Sequence, residues 1–357
     1  MLFSGIDLHK RSLAIHTLDA DGATTREAEL RSDRAAVMAY FGTLAGPHRA
    51  VVECVQSWYW LRDLLAPAGV DLRLAHAKYV KAISYAKVKT DRVDARMLAQ
   101  LLRVGLIPEA HMIGAEHRET RDLLRSRLQL VTRAVRCQHA VGSLLEKYNV
   151  AMPTELPELA RLQATLQDEQ RTLIRAHIKR VEAVLKQRLL PTPDVQRLVW
   201  VPGIGKLGAY ALVLEIDDVQ RFPTVRHFHS YCRLVPGADN SAGKTRHKRS
   251  RDGNRYLKLV FHTAAIRAAQ YHPEIRQEYR RLARRKGKIV ARALIAKELA
   301  SIVYFVLRKQ EAFNGRFRGH VLTPKPPRWP RLASPGSLTD APLRRTNEWE
   351  ASRHAGE

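Results

Sequence analysis

The sequence predicts an N-terminal α/β domain, a long helical hairpin and a mainly α C-terminal domain, and three observations predict this order. Up to about residue 112, short apolar runs rich in β-branched residues alternate with helical patterns. Leucines and valines then recur at helical spacing through 116–148 and 158–190, on either side of a proline-bearing break. The third region, 191–313, is again mainly helical in pattern.

The predicted α/β domain, residues 1–112, begins with two strands that alternate apolar and polar residues. A later apolar run is bounded by Gly46-Pro47, which indicates a buried strand. In chain order the sequence predicts strands at 2–7 and 12–18, a helix at 33–45, a strand at 50–55, a helix at 58–68, a strand at 70–75 and a helix at 91–104.

The two long helical stretches form the predicted second domain, residues 113–190. A proline-bearing loop between long helices is typical of an antiparallel hairpin. Such helices either pack within one domain or pair with a copy in another subunit, and periodicity leaves both alternatives open. Residues 314–357 are rich in Pro, Arg, Ser and Gly without periodicity, which predicts a disordered tail.

The charge balance indicates a polyanionic partner. The 357 residues include 61 Lys and Arg against 35 Asp and Glu, a net charge of +26, and nucleic acid is the leading partner for such a protein. The three cysteines are far apart with no CxxC pair, which argues against a disulfide framework and a structural zinc site. The longest apolar stretch near the C-terminus, Leu299–Leu307, is too short to span a bilayer, so we expect a cytoplasmic protein without a membrane partner.

Four acidic residues occupy positions that need an explanation. Asp7 follows Ile6 inside a strand, where aspartate is disfavoured, and Glu53 lies in an apolar strand, where a charge is costly unless paired or metal-bound. Asp91 and Asp94 begin a helix three residues apart and share a face. Clustered carboxylates need cations, and hard oxygen ligands select Mg²⁺ or Mn²⁺. The order strand-Asp, strand-Glu, helix-Asp-x-x-Asp resembles the RNase H/RuvC arrangement.

Each acid also has a purely structural interpretation. Asp91 can cap its helix, and Asp94 then benefits from the helix dipole. Asp7 can belong to a turn, and Glu53 can pair with a buried arginine. Taken jointly, the four positions favour metal-dependent phosphoryl chemistry, in which two ions activate a nucleophile and stabilise a leaving oxygen.

Two features of the C-terminal region indicate phosphate binding. The turn 201–208 contains Gly203, Gly205 and Lys206 and resembles the hairpin of helix-hairpin-helix modules, whose backbone N–H groups approach a phosphate; a plain turn between packed helices is the alternative. Ser241 heads a run with seven Lys and Arg from Lys244 to Lys258 against one acid. Of these cations we expect nucleic-acid contacts from Lys244, Arg246, Lys248, Arg249, Arg251 and Arg255. On the residues alone, Ser241 reads as an ordinary loop serine.

Together these residues resemble the IS110/IS1111 family of insertion-sequence transposases. The resemblance covers nearly the whole chain and depends on Thr90–Arg96, Val201–Gly205, Ser241–Lys244 and Gly253–Leu257 in this order. It implies a RuvC-like DEDD domain, a coiled coil and a C-terminal transposase domain. The sequence departs from the family pattern at two places. After Glu53, Cys54-Val55-Gln56-Ser57 replaces the usual stretch, and after Ser241, Ala242 replaces the common glycine or asparagine.

The resemblance also implies roles for single residues. Asp7, Glu53, Asp91 and Asp94 are then the catalytic acids that bind Mg²⁺ or Mn²⁺, and Ser241 is the nucleophile that forms a covalent link to DNA. The family forms homo-oligomers, dimers or tetramers, with acids and serine from different subunits in one active site. Some members are guided by a structured RNA encoded in the element.

We therefore expect a transposase that cuts and rejoins DNA through a serine–DNA intermediate. A Mg²⁺-dependent Holliday-junction endonuclease is the alternative, in which water attacks and leaves nicked ends without a protein–DNA adduct. A non-catalytic nucleic-acid-binding protein is a third class, and it would tolerate loss of the acids.

Overall fold

A computed structural model of the protein describes residues 1–54, 57–83, 90–241, 244–248 and 252–322, with side chains omitted from 238 through 248. The chain divides into two compact units, Met1–Glu116 and the chain from His117 onward. The helical hairpin predicted for 113–190 lies almost entirely in the second of these units.

The first unit is a mixed α/β fold. Its elements are β1 (Leu2–Leu8), β2 (Ser12–Leu18), β3 (Thr24–Arg31), α1 (Arg34–Phe41), β4 (His48–Glu53), α2 (Trp58–Leu65), β5 (Val70–Ala75), α3 (Ala77–Ile83) and α4 (Asp91–Arg103). The sheet order is β3-β2-β1-β4-β5, with β1–β2 and β2–β3 antiparallel and β1–β4 and β4–β5 parallel. The sequence analysis missed β3, whose alternating exposed and half-buried residues are mostly polar, as suits an edge strand.

The two faces of this sheet carry different helices. Ile6 and Val52 face the core under α1 and α2, together with residues such as Leu61. The opposite face presents Val51, which packs against Leu98 of α4. Because side chains alternate along a strand, Asp7 and Glu53 belong to the face that α4 covers.

Gly5 permits the close approach of α4 to β1. A Cβ at this position would lie 2.0 Å from the carbonyl oxygen of Ala95 and 2.4 Å from the backbone nitrogen of Ala99. A side chain would push the helix away from the sheet. The glycine therefore lets the first turn of α4 lie beside the carboxyl end of β1.

The second unit is mainly helical. Its helices are α5 (Ala115–Tyr148), which begins just before the boundary, α6 (Glu158–Arg188), α7 (Pro193–Leu198), α8 (Lys206–Ile216), α9 (Val225–Tyr231), α10 (Arg255–Tyr271), α11 (Pro273–Lys286) and α12 (Lys288–Lys309). Two hairpins of strands complete it, β6 (Gly237–Ser241) with β7 (Lys244–Lys248) and β8 (Arg316–Phe317) with β9 (His320–Val321). The core centres on α12, whose Ile295, Leu299 and Val303 are fully buried.

Helices α5 and α6 run antiparallel. Glu119 near the start of α5 pairs with Arg188 at the end of α6 at 2.7 Å. Further along α5, Arg127 pairs with Glu182, which precedes Arg188 on α6, at 2.6 Å. Near the far end, Val141 of α5 clusters with buried residues of α6. The contacts join the two helices of one chain along their length.

The first residues of the segment 314–357, predicted as a disordered tail, are part of the described structure. Residues 314–322 include the β8–β9 hairpin, and Phe317 and Leu322 are 1% and 3% exposed within the main core. Two apolar anchors suffice to order this short segment, which a composition-based prediction overlooks. Residues 323–357 lie outside the described part of the chain. Within that part, the helices are too short or too polar to cross a membrane.

Candidate active site and nucleic-acid interface

Asp7, His9 and Asp91 converge at the carboxyl end of β1. The Nε2 atom of His9 lies 3.3 Å from Oδ2 of Asp7 and 3.4 Å from Oδ1 of Asp91. One ligand atom from each residue lies within 4.8 Å of the other two. The Asp7 side chain is 18% exposed and that of Asp91 55%, so the group is open to solvent on the side of α4.

The charge of Asp94 also acts on the Asp7 carboxyl. Burial raises the pKa of the Asp7 carboxyl, His9 opposes the rise, and the charges of Asp91 and Asp94 add to it. Three carboxylates therefore interact at one end of the sheet. Their mutual repulsion would be relieved by a cation.

Glu53 occupies the matching position on the neighbouring strand. Ile6 pairs with Val52 in the parallel β1–β4 register, so Asp7 and Glu53 each follow a paired residue at the carboxyl ends of adjacent strands. Glu53 is half-buried and pairs through its backbone with Ala75 of β5. Neighbouring strands are about 4.8 Å apart, which brings Glu53 to the same edge as Asp7.

The helix cap is Thr90, which removes one structural interpretation of Asp91. The Thr90 hydroxyl accepts a hydrogen bond of 3.3 Å from the backbone nitrogen of Val93. Asp91 therefore sits in the first turn, beyond the cap, and its carboxylate is directed to His9.

These residues fit a divalent cation. The donor set combines hard carboxylate oxygens with one imidazole nitrogen. Burial is the main cause that raises the pKa of Asp7, and the charges of Asp91 and Asp94 add to it. Oxygen-rich sites suit Mg²⁺ and Mn²⁺. His9 was missed by the sequence analysis, although an Asp-x-His pattern at a strand end is a visible signal.

In the second unit, the two glycines of the turn between α7 and α8 have different roles. Gly203 has φ +77°, and a Cβ there would lie 2.0 Å from the carbonyl oxygen of Ala264, so packing against α10 explains this glycine. Gly205 is the N-cap of α8 with φ −92°, and a Cβ there would meet no described atom within 4 Å. Lys206 follows it, and burial together with the charge of Lys186 lowers its pKa.

Ser241 ends β6 and pairs with Lys244, the first residue of β7. The serine therefore lies at the end of a β-strand and not in an irregular loop, since β6 and β7 form a regular antiparallel pair. Arg246 and Lys248 also lie on β7, while Arg249 and Arg251 fall outside the described residues. Arg255 begins α10, exposed, with its guanidinium 4.9 Å from the ring centroid of Tyr256.

Hydrogen bonds among Tyr231, Arg233, Gly253 and Asn254 hold the two ends of the segment 234–252 together, and we call these four residues the neck. The backbone nitrogen of Asn254 donates to the carbonyl of Tyr231 at 2.6 Å, and Nε of Arg233 donates to the carbonyl of Gly253 at 2.7 Å. Gly253 has φ +92°, and a Cβ there would lie 2.3 Å from the carbonyl oxygen of Tyr231. These contacts tie together the two ends of the segment that carries Ser241.

A buried carboxylate anchors this neck. The Glu215 side chain is 3% exposed and binds Arg125 of α5 through both oxygens, at 2.5 and 2.7 Å. Its Oε2 also accepts a bond of 2.6 Å from the side-chain amide of Asn254. The Arg125 guanidinium lies 4.7 Å from the ring centroid of Tyr256. Glu215 and Arg125 carried no recognisable sequence signal, because their partners are 39 and 90 residues away.

Family models match both units of the chain. One described as "Transposase", for the DEDD enzymes of IS110 type, matches residues 4–150. A second, described as "Transposase IS116/IS110/IS902 family", matches residues 195–280. The chain belongs to the IS110 family of transposases. It is therefore an enzyme that cuts and joins DNA.

Relatives of this transposase carry consistent names. A probable family 20 transposase of Pseudomonas aeruginosa is 28% identical over 87% of this chain and 98% of its own length. The transposase for insertion sequence element IS1328 of Yersinia enterocolitica is 25% identical over the same two shares. A pilin gene-inverting protein of Moraxella bovis is 30% identical over 35% of this chain and 41% of its own length.

Proposed function

We propose that this transposase cuts and rejoins DNA through a covalent bond to Ser241, assisted by a divalent cation at the acidic cluster. The observation that carries the proposal is the convergence of Asp7 from β1 and Asp91 from α4 on one point. Carboxylates from different elements repel one another at such an approach, and a divalent cation would stabilise them beyond what the single imidazole of His9 provides. The mixed sheet agrees with a RuvC-like first unit.

Asp7, Glu53, Asp91 and Asp94 are the residues that would hold Mg²⁺ or Mn²⁺. Such a cation supplies Lewis-acid stabilisation of the charge that develops on phosphate oxygens. The chain's own contribution is to set the acids in place, because Gly5 lets α4 lie against β1 and Thr90 caps the helix. The close approach of the two elements fixes the spacing of their carboxylates.

Ser241 would act as the nucleophile. Its Oγ attacks phosphorus, the new Oγ–P bond forms as the bond from phosphorus to a deoxyribose oxygen breaks, and that oxygen leaves with a proton. The hydroxyl of a second strand then attacks the phosphoserine and releases the serine. The number of phosphoester bonds is conserved, so the reaction needs no ATP. A serine hydroxyl requires activation, and the surrounding Lys and Arg residues stabilise the anionic transition state.

DNA is the partner that the charge supports, with a net +26 and cations concentrated around the Ser241 hairpin. We further propose that Gly205 and Lys206 contact its phosphates. The α5–α6 hairpin would serve as a coiled coil between subunits of a homo-oligomer. Several leucines of α6 support this, since Leu159, Leu162, Leu166 and Leu173 are 73%, 55%, 53% and 58% exposed. An element-encoded guide RNA is a further expectation from the family resemblance.

The proposal is tested by excision of the native element in cells, detected by amplification across the circular junction. Ser241→Ala and Asp7→Asn should abolish the junction while protein levels hold. Ser230→Ala and Asp71→Asn, the same chemical changes at exposed positions, should keep it. If Ser241→Ala still yields junctions while Asp7→Asn does not, water is the nucleophile, and the Holliday-junction endonuclease replaces this proposal.

A further inference from the structure

A cleft of about 740 Å³ opens beside the glycine turn of the second unit. Its lining comes from α5, the segment 199–205, the first part of α8 and α10 with the residue that follows it. This volume lies in the range of about 300–1,000 Å³ that is typical of small-molecule pockets. A single nucleotide fits such a space, whereas a base-paired duplex does not.

The lining combines aromatic rings with positive charge. Trp200 is half-buried and Tyr271 is 47% exposed, and both line the cleft. Three cations, Arg127, Lys206 and Arg267, lie along its walls, and none of the described lining residues is acidic. Arg127 pairs with Glu182 at 2.6 Å.

Lys206 lies near a second positive charge. Burial and the nearby charge of Lys186 lower the pKa of Lys206. A bound anion would interact favourably with both cations. A ligand with a phosphate therefore complements this part of the cleft.

Gly205 lines the cleft, and the packing of the fold does not require a glycine at this position. Its backbone is extended and accessible to any residue, and a Cβ there would point into space without a described neighbour within 4 Å. A serine or aspartate would be a better helix cap at this position. The absence of a side chain is explained if a ligand approaches the backbone here.

We propose that this cleft binds one unstacked nucleotide of the DNA, with its base against Trp200 and its phosphate beside Gly205 and Lys206. The proposal rests on the DNA-binding role proposed above for the turn. A nucleobase would pack against the apolar and aromatic residues of the lining, and its phosphate would interact with the cationic residues. Aromatic side chains commonly receive bases that have left the helical stack.

The first test maps contacts with a single-stranded oligonucleotide from the end of the native element, carrying 5-iododeoxyuridine at one position at a time. The full chain with Ser241→Ala is used, so that strand chemistry has no influence. After irradiation, mass spectrometry should find a crosslink to Trp200 from one or two positions of the oligonucleotide. DNA that binds but crosslinks only to other peptides overturns the cleft assignment.

The second test compares Trp200→Phe with Trp200→Leu. Both keep an apolar residue in the core contact, but only phenylalanine retains a ring. Phenylalanine should bind the oligonucleotide nearly as wild type, and leucine should bind it about 5- to 100-fold more weakly, as expected for loss of one base–aromatic stack. Equal affinities with unchanged thermal unfolding would overturn the proposal.

The outcomes separate this inference from the proposed chemistry. Crosslinking to Trp200 together with Ser241-independent excision supports the cleft and contradicts the serine mechanism. Excision that requires Ser241, with leucine binding as tightly as phenylalanine, contradicts only the cleft. A crosslink obtained with iodouridine-bearing RNA of the element, and not with its DNA, overturns the assignment to DNA.

Discussion

The side-chain amide of Asn254 donates a hydrogen bond of 2.6 Å to Oε2 of Glu215, which is 5% exposed. The amide oxygen of the same residue accepts from the backbone nitrogens of Tyr256 and Leu257, at 2.8 and 3.1 Å, and so caps α10. One side chain therefore joins the neck of the Ser241 segment to a helix start and to a buried ion pair. These contacts fix the C-terminal end of the segment that carries Ser241.

Replacement of Asn254 should separate its two roles. Asn254→Ala removes the cap and one partner of Glu215, and we expect a loss of about 2–4 kcal/mol in the free energy of unfolding. Asn254→Asp preserves the cap but sets a carboxylate against Glu215, so it should be as destabilising. Urea denaturation measures both. Wild-type stability of Asn254→Asp would mean that only the cap matters.

The contact between β1 and α4 should be intolerant of a single methyl group. Gly5→Ala places Cβ 2.0 Å from the carbonyl of Ala95, and we expect a loss of about 3 kcal/mol or more in the first unit. Gly142→Ala is the matched control, because a Cβ inside α5 meets no described atom within 4 Å. That variant should gain up to about 1 kcal/mol. Similar melting curves for the two variants would contradict the packing described here.

Binding of a divalent cation should stabilise the first unit through Asp7. A cation that binds only the folded state adds about 2.7 kcal/mol at a concentration 100 times its Kd. Calorimetry with and without Mn²⁺ should show a rise in the first unit's Tm for wild type and for Asp71→Asn. The rise should be lost in Asp7→Asn. An equal rise in Asp7→Asn would place the cation elsewhere.

The two glycines of the α7–α8 turn should respond differently to serine. Gly203→Ser is strained by φ +77° and by the close carbonyl of Ala264, so it should unfold the region. Gly205→Ser should fold with stability equal to or slightly above wild type, because serine is a good N-cap. Its hydroxyl would occupy the N–H donors offered to phosphate, and DNA affinity should fall roughly tenfold or more. Anisotropy titration would reveal wild-type affinity if the turn does not contact phosphate.

Much of the first unit could be predicted from the sequence because its strands and helices have strong local patterns. The buried strand and the Asp-x-x-Asp helix start are examples, and the structure has them at β4 and α4. The edge strand β3 was missed because it pairs only with β2 in the described sheet and six of its eight residues are polar or charged. The tail hairpin was missed because its order depends on a distant core that receives Phe317.

The candidate sites were predictable to different degrees for the same reason. Carboxylates in strands are locally unusual, so Asp7 and Glu53 were recognisable before any fold was known. Glu215 is the one acid of the apolar helix α8, and its role comes from Arg125 and Asn254, which lie far along the chain. Likewise, Gly203 packs against α10 and Gly205 does not. The sequence of the turn itself does not reveal this difference.

The central claim is a covalent serine–DNA intermediate, and trapping it is the most direct test. Purified protein is incubated with DNA carrying the native element ends and Mg²⁺, quenched in denaturant, digested and analysed by mass spectrometry. The account predicts a nucleotide attached to the peptide containing Ser241 in wild type, and its loss in Ser241→Ala and Asp7→Asn. Cleaved DNA without any adduct, or an adduct that persists in Ser241→Ala, would contradict it.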